Sequence, residues 1–138
     1  MPAKDFYHEC VKNALIQDDW TITNDPLHLK WGAKDMYVDL GAERLLAAEK
    51  KDSKIAVEIK SFRSHSDMSE LEKAVGQYII YSNVLAEIEP ERLLYLAIHQ
   101  EIFVELFEEP IGQLLLKNNP IRLIVFNPQM ESISRWIP

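Results

Sequence analysis

An α/β fold built around a mixed central sheet is the architecture this 138-residue sequence predicts. Three observations carry that expectation. The runs "SKIAVEIKSF" (Ser53–Phe62), "RLLYLAIH" (Arg92–His99) and "IRLIVFN" (Ile121–Asn127) have the apolar, β-branched composition of core strands. An amphipathic pattern of helical period over Ser69–Ala86 separates the first of these runs from the second. A further helix-prone region, "QEIFVELFEEPIGQLLLKNN", separates the second from the third. Core strands alternating with helices are what a helix-covered sheet with parallel members requires.

Taken in order, residues 3–17 read as a first helix. Tyr7, Cys10, Val11, Ala14 and Leu15 recur at helical spacing, and Asp5 suits the first turn. "WTITN" (Trp20–Asn24) alternates like a short strand that Asp25-Pro26 breaks, and "LHLKWG" is a further extended piece. "DMYVDLGAERLLAAEKKDSKIAVEIKSF" reads as two strands around a turn at Lys50–Ser53. Its "AERLLAAE" portion is helix-prone by propensity, but the strand that follows needs a neighbour, so it is assigned as strand.

In Ser69–Ala86, Ser69 and Glu72 form a capping-box pattern, and Leu71, Ala74, Val75, Tyr78, Ser82 and Leu85 make the apolar stripe. Gly76 costs such a helix stability, so close packing of helix on sheet is expected at that point. Two short helices are expected around Glu109-Pro110, with the proline in the first turn of the second. "SISRWI" (Ser132–Ile137) reads as a last, peripheral strand.

The length fits a single domain over residues 1–138, and 47% apolar residues are enough for a packed core. The lone Cys10 excludes an intrachain disulfide and a cysteine-based zinc site, and a reduced, cytoplasmic setting is expected. "MPAKDFYHEC" places charges where a signal peptide would be apolar, and no run is long enough to span a bilayer, so no membrane association is expected. The net charge of −7 argues against a strong autonomous nucleic-acid binder. The charge is uneven, however. Lys30 to Arg63 holds eight basic and six acidic residues, against seven basic and sixteen acidic elsewhere.

Within that segment lies the sequence's chemical anomaly. Glu58 and Lys60 are two residues apart, on one face of a strand that otherwise reads as buried. An unpaired charge in a low-dielectric core costs several kcal/mol. Two remedies exist: an open edge from which Lys60 snorkels to water, or a divalent cation held by Glu58 and a second carboxylate. Asp39, in "MYVDLG", can supply that carboxylate from the neighbouring strand. The pleat puts Asp35 and Tyr37 on the same face as Asp39, so direction alone does not separate the two aspartates. Two carboxylates and a lysine are the equipment of metal-dependent phosphodiesterases: Asp39 and Glu58 as ligands of Mg²⁺ (or Mn²⁺), Lys60 beside the attacking water. Glu9 on the first helix is a further candidate ligand. Gln77 and Tyr81, one turn apart beside the apolar stripe, can look toward the same carboxylates, with Lys73 a turn earlier.

Asp39, Glu58-x-Lys60 and Gln77-x-x-x-Tyr81, in an α-β-β-β-α-β order, resemble the PD-(D/E)xK nuclease superfamily, which has the restriction-endonuclease-like fold. More narrowly, "DLGAERLLAAEK", "KIAVEIKSF", "AVGQYIIYSNVL" and "RLLYLAI" resemble the cyanobacterial fdxN-element excision controlling factor XisH family, over nearly the whole chain. That resemblance implies an accessory role in a developmentally programmed DNA excision, the one that accompanies heterocyst formation. It also implies action with a XisI-like partner and, indirectly, a site-specific recombinase. The motif match selects Asp39 over Asp35. At −7, approach to DNA calls for a partner, the groove of a homo-oligomer or the divalent cation. The alternative is a catalytically inactive nuclease-fold protein that acts through assembly.

Other residues read as structural. His8, His28, His65 and His99 lack metal-ligand spacing, and neither the serines nor Cys10 have a base partner at motif level. No glycine-rich phosphate loop is present, and Trp20, Trp31 and Trp136 read as core or interface residues. "EIFVELFEEPIGQLLL", with apolar residues set among acids, reads as packed edge helices, with a partner surface as the alternative.

Overall fold

The computed structural model describes residues 5–46, 51–63 and 66–138. Its elements are α1 (His8–Gln17), β1 (Thr21–Asn24), β2 (Leu27–Trp31), β3 (Lys34–Val38), β4 (Leu40–Leu46), β5 (Lys51–Ile59), α2 (Asp67–Ile88), β6 (Arg92–His99), α3 (Gln100–Ile102, continued by a π turn over Phe103–Phe107), α4 (Pro110–Asn118), β7 (Leu123–Asn127) and β8 (Ser132–Ile137). The architecture is mixed α/β. Six strands run in the order β1-β4-β5-β6-β7-β8, and β2-β3 form a separate hairpin. β5-β6 and β6-β7 are parallel; β1-β4, β4-β5 and β7-β8 are antiparallel.

The predicted core strands are the interior of this sheet, for the reason their composition implied: each is covered on both faces. Ile55, Val57 and Ile59 of β5 face one layer, with Val11 and Leu15 of α1, Trp20, Tyr95 and Phe126. Ala56 of β5 faces the other, with Leu71, Ala74, Tyr78 and Leu85 of α2, Leu94, Leu96 and the aromatics Phe103 and Phe107. The hairpin packs into this second layer through Leu27, Leu29 and Val38. Glu58 and Lys60 follow Ala56 on the α2 side.

Several expectations change. The strand before β5 is divided: β3 and β4 are separated by a bend at Asp39, so "AERLLAAE" does begin in a strand that pairs with β5, but Asp39 sits at a junction rather than within it. Lys51–Ser53 already belong to β5; the connection at 47–50, like His65 and the first residues of the expected first helix, lies outside the described residues. The cap of α2 is Ser66, whose hydroxyl oxygen accepts from the Ser69 N–H at 3.2 Å. Ser69 is therefore inside the helix, and the Ser69–Glu72 capping box is replaced by a Ser66 cap of about 1 kcal/mol.

Gly76 is exposed, and a methyl group added there would meet nothing within 4 Å, so close packing does not explain it. In α4 a glycine is required, at Gly112. A Cβ there would lie 2.3 Å from the Leu106 carbonyl oxygen and from Phe107 Cα. The chain thus doubles back tightly after the π turn that buries Phe103, Leu106 and Phe107. No described helix is long and apolar enough to cross a membrane.

Candidate metal and phosphate site

β5 carries Glu58 to the end of its pairing with β6, one residue before the strand ends at Ile59. Glu58 is 6% exposed, so the open-edge, solvated reading of this carboxylate fails for Glu58; Lys60, with a side chain 20% exposed, does reach the surface. Lys60 Nζ lies 3.8 Å from Glu58 Oε2. The bend at Asp39 brings the second acid against the first. Asp39 Oδ2 accepts from the Ile59 N–H at 2.7 Å, and the Asp39 N–H donates to Glu58 Oε1 at 3.2 Å.

Gln77 and Tyr81 of α2 complete a cleft of about 190 Å³ together with Asp5, Tyr37, Asp39, Glu58, Ile59 and Lys60. Five of the six residues singled out from the sequence therefore meet. Glu9 does not: it is exposed on α1 and is not among the lining residues. Asp35 is also elsewhere, 2.7 Å from the His28 ring in the hairpin, and Lys73 is exposed outside the cleft.

Asp5 is the acid that sequence reasoning missed. Its two oxygens accept from the Tyr7 and Ser61 N–H groups at 2.9 and 3.1 Å, stitching the start of α1 to the exit of β5. An aspartate just before a helix carries no sequence signal for that long-range role. Tyr37 did carry one, since the pleat pattern already grouped it with Asp39.

Burial is the dominant electrostatic fact. It raises the Asp39 carboxyl above its ordinary value, against the opposing bond from Ile59. Burial, and then the negative charge of Asp39, push Glu58 up to about 8, with Lys60 pulling the other way. At neutral pH the pair therefore favours one shared proton. Its own burial, and then the charges of Glu58 and Asp39, push Tyr81 up to about 12, so its hydroxyl stays protonated as a donor. Gln77 Oε1 is buried without a hydrogen-bond partner among the described residues.

These features fit a divalent cation. Two acids are held together at a desolvation cost, relieved without metal by a shared proton and Lys60, and among the described residues an amide oxygen is left without a donor. Among the described residues no group of three or more acidic, histidine or cysteine side chains could hold a metal. The residues that fit are the Asp39–Glu58 pair, a ligand count that suits Mg²⁺, which keeps several waters and binds through one or two carboxylates.

Fold and site together define a mixed-sheet α/β protein with a buried acid pair and a lysine at the end of its central strands. A family model described as XisH protein matches residues 1–134. The chain belongs to the XisH family. It is 36% identical to an XisH family protein from Nostoc punctiforme PCC 73102, whose structure superposes with a TM-score of 0.88 over 97% of this chain and 100% of the other. It is also 36% identical to an fdxN element excision controlling factor protein from Anabaena variabilis, again with a TM-score of 0.88, over 98% of this chain and 100% of that one. No functionally curated protein matches the chain.

Proposed function

We propose that this chain is a controlling factor for programmed DNA element excision, built as one restriction-endonuclease-like domain over residues 1–138, with a Mg²⁺- or Mn²⁺-dependent phosphodiesterase site. The observation that carries the reading is the buried contact of Asp39 with Glu58 beside Lys60. A cation bound by the two carboxylates would polarise a non-bridging phosphate oxygen and lower the pKa of a coordinated water. The chain's own groups do the rest. Lys60 sets a positive charge where the attacking water and the phosphate meet. Gln77 Oε1 accepts a hydrogen bond from that water, and the Tyr81 hydroxyl donates to a phosphate oxygen.

The test is cleavage of plasmid, single-stranded and branched DNA by purified protein with Mg²⁺ or Mn²⁺, beside Lys60→Ala. Cleavage that Lys60→Ala and chelation both abolish supports the site; cleavage equal to the variant's on every substrate rejects it.

A second reading is favoured by the net charge of −7 and by apolar side chains left at the surface. Met68 and Ile111 border a groove between α2 and α4, and Trp31 and Ile80 border another, all four 37–53% exposed. In this reading the fold controls a recombinase through assembly with a XisI-like partner or further copies of itself, without catalysis. Copurification of the tagged protein from its host tests it: a partner at stoichiometric yield supports assembly, and recovery of the chain alone as a monomer rejects it.

A further inference from the structure

We infer that the cleft receives nucleic acid as a single strand, or as a locally unstacked segment, and holds its bases on two aromatic platforms, Tyr37 in its lining and Phe6 next along the chain from the lining residue Asp5. This rests on the phosphodiesterase reading and names the form of substrate it takes.

Tyr37 lines the cleft yet is 37% exposed. Its ring is fixed by stacking on His28, its cross-strand partner, at 5.0 Å between centroids and 24° between planes. The hairpin below is pinned by the buried Leu27, Leu29 and Val38, so the platform is presented by a rigid element. Phe6 is 63% exposed and follows Asp5, another lining residue. The Arg63 guanidinium lies over its ring at 3.9 Å from the centroid, and Tyr7 holds it edge-on at 4.9 Å. Each ring is thus oriented by a neighbour rather than buried. Exposed aromatic faces, one of them paired with an arginine plane, are what unstacked bases bind.

Charge points the same way. A duplex is gripped through its phosphates, and that grip requires a broad basic surface. Here the cleft offers Lys60 against Asp5, Asp39 and Glu58, and Arg63 lies over the Phe6 ring. Phosphate contacts alone would bind weakly, so affinity has to come from base stacking, and bases inside a duplex stack are out of reach of the two rings.

The 138-residue chain is titrated into a fluorophore-labelled DNA single strand and into the corresponding duplex, with Ca²⁺ replacing Mg²⁺ so that binding is read without turnover. A strand carrying 2-aminopurine reports stacking by quenching. The expected result is roughly tenfold tighter binding of the strand than the duplex, with quenching on binding. Tyr37→Ala and Phe6→Ala should each weaken strand binding about fivefold or more, and Tyr37→Phe should restore it. Thermal melts of each variant confirm that it is folded. Equal affinity for the duplex, no quenching, unchanged binding by both alanine variants, or no DNA binding at all each overturns the inference. If the stacking pattern holds while no substrate is cleaved, the phosphodiesterase reading fails alone. If cleavage depends on Lys60 but is indifferent to both platforms, the inference fails alone.

Discussion

The Asp39 N–H donates to Glu58 Oε1 at 3.2 Å, so the backbone of one acid supports the side chain of the other. The Asp39 side chain in turn accepts from Ile59, the residue after Glu58, at 2.7 Å. This reciprocal clasp fastens the bend between β3 and β4 to the end of β5, and makes one structural unit of two carboxylates that lie nineteen residues apart.

Two substitutions separate the structural and electrostatic parts of that clasp. Asp39→Asn keeps an acceptor for the Ile59 N–H and removes a charge next to Glu58, so the metal-free protein should melt at or above the wild-type temperature. Asp39→Ala strands the Ile59 N–H and should be less stable than Asp39→Asn by about 1–3 kcal/mol. Thermal melts in chelator give the ordering. Both variants should lose the rise in Tm that wild type shows with millimolar Mg²⁺, a rise that follows from ligand binding to the native state alone.

Glu58 makes metal-free stability depend on pH with a definite sign. Its folded value, about 8, lies above its ordinary value of 4.5. The native state therefore holds a proton that the unfolded chain has released, and stability declines as pH rises from about 4.5 to 8. Glu58→Gln has no proton to lose, so its advantage over wild type should be small at pH 5 and reach a few kcal/mol at pH 8. Urea titrations in chelator at the two pH values measure the difference. Saturating Mg²⁺ should flatten the wild-type profile.

Gly76 and Gly112 should respond oppositely to alanine. At Gly76 the new methyl meets open space in a helix interior, and Gly76→Ala should stabilise by about 0.5–1 kcal/mol. At Gly112 it would press on the Leu106 carbonyl and the Phe107 backbone at 2.3 Å, and Gly112→Ala should cost about 3 kcal/mol or more. Chemical denaturation of the pair distinguishes them directly.

Tyr78, buried between Gln77 and the next turn of α2, ties the helix to two strands. Its hydroxyl donates to the Leu94 carbonyl at 2.9 Å and accepts from the Arg122 N–H at 3.0 Å. Tyr78→Phe leaves both backbone groups without this partner and should cost about 1–3 kcal/mol. Tyr81→Phe removes a hydroxyl that faces the cleft. It should leave stability nearly unchanged and lower any phosphodiester cleavage, which a melt and a cleavage assay on the same sample would show.

The sequence by itself determined the elements and most of the site. Strand and helix follow from the period of apolar residues along the chain, which is why β5, β6, β7, α2 and the break before Pro110 were legible. Glu58 and Lys60 were conspicuous because charge on an apolar strand is costly in any fold, and Gln77 and Tyr81 because a helix fixes their shared face. Tertiary structure alone decided what no local period encodes. It split the strand at Asp39, whose side chain there accepts from the Ile59 N–H, a partner twenty residues away that no local period encodes. It brought in Asp5 rather than Glu9, because position at the cleft depends on where α1 docks and not on which acid the helix carries. It also assigned a required glycine to position 112, where two segments nearly touch, and not to 76, where the helix faces open space.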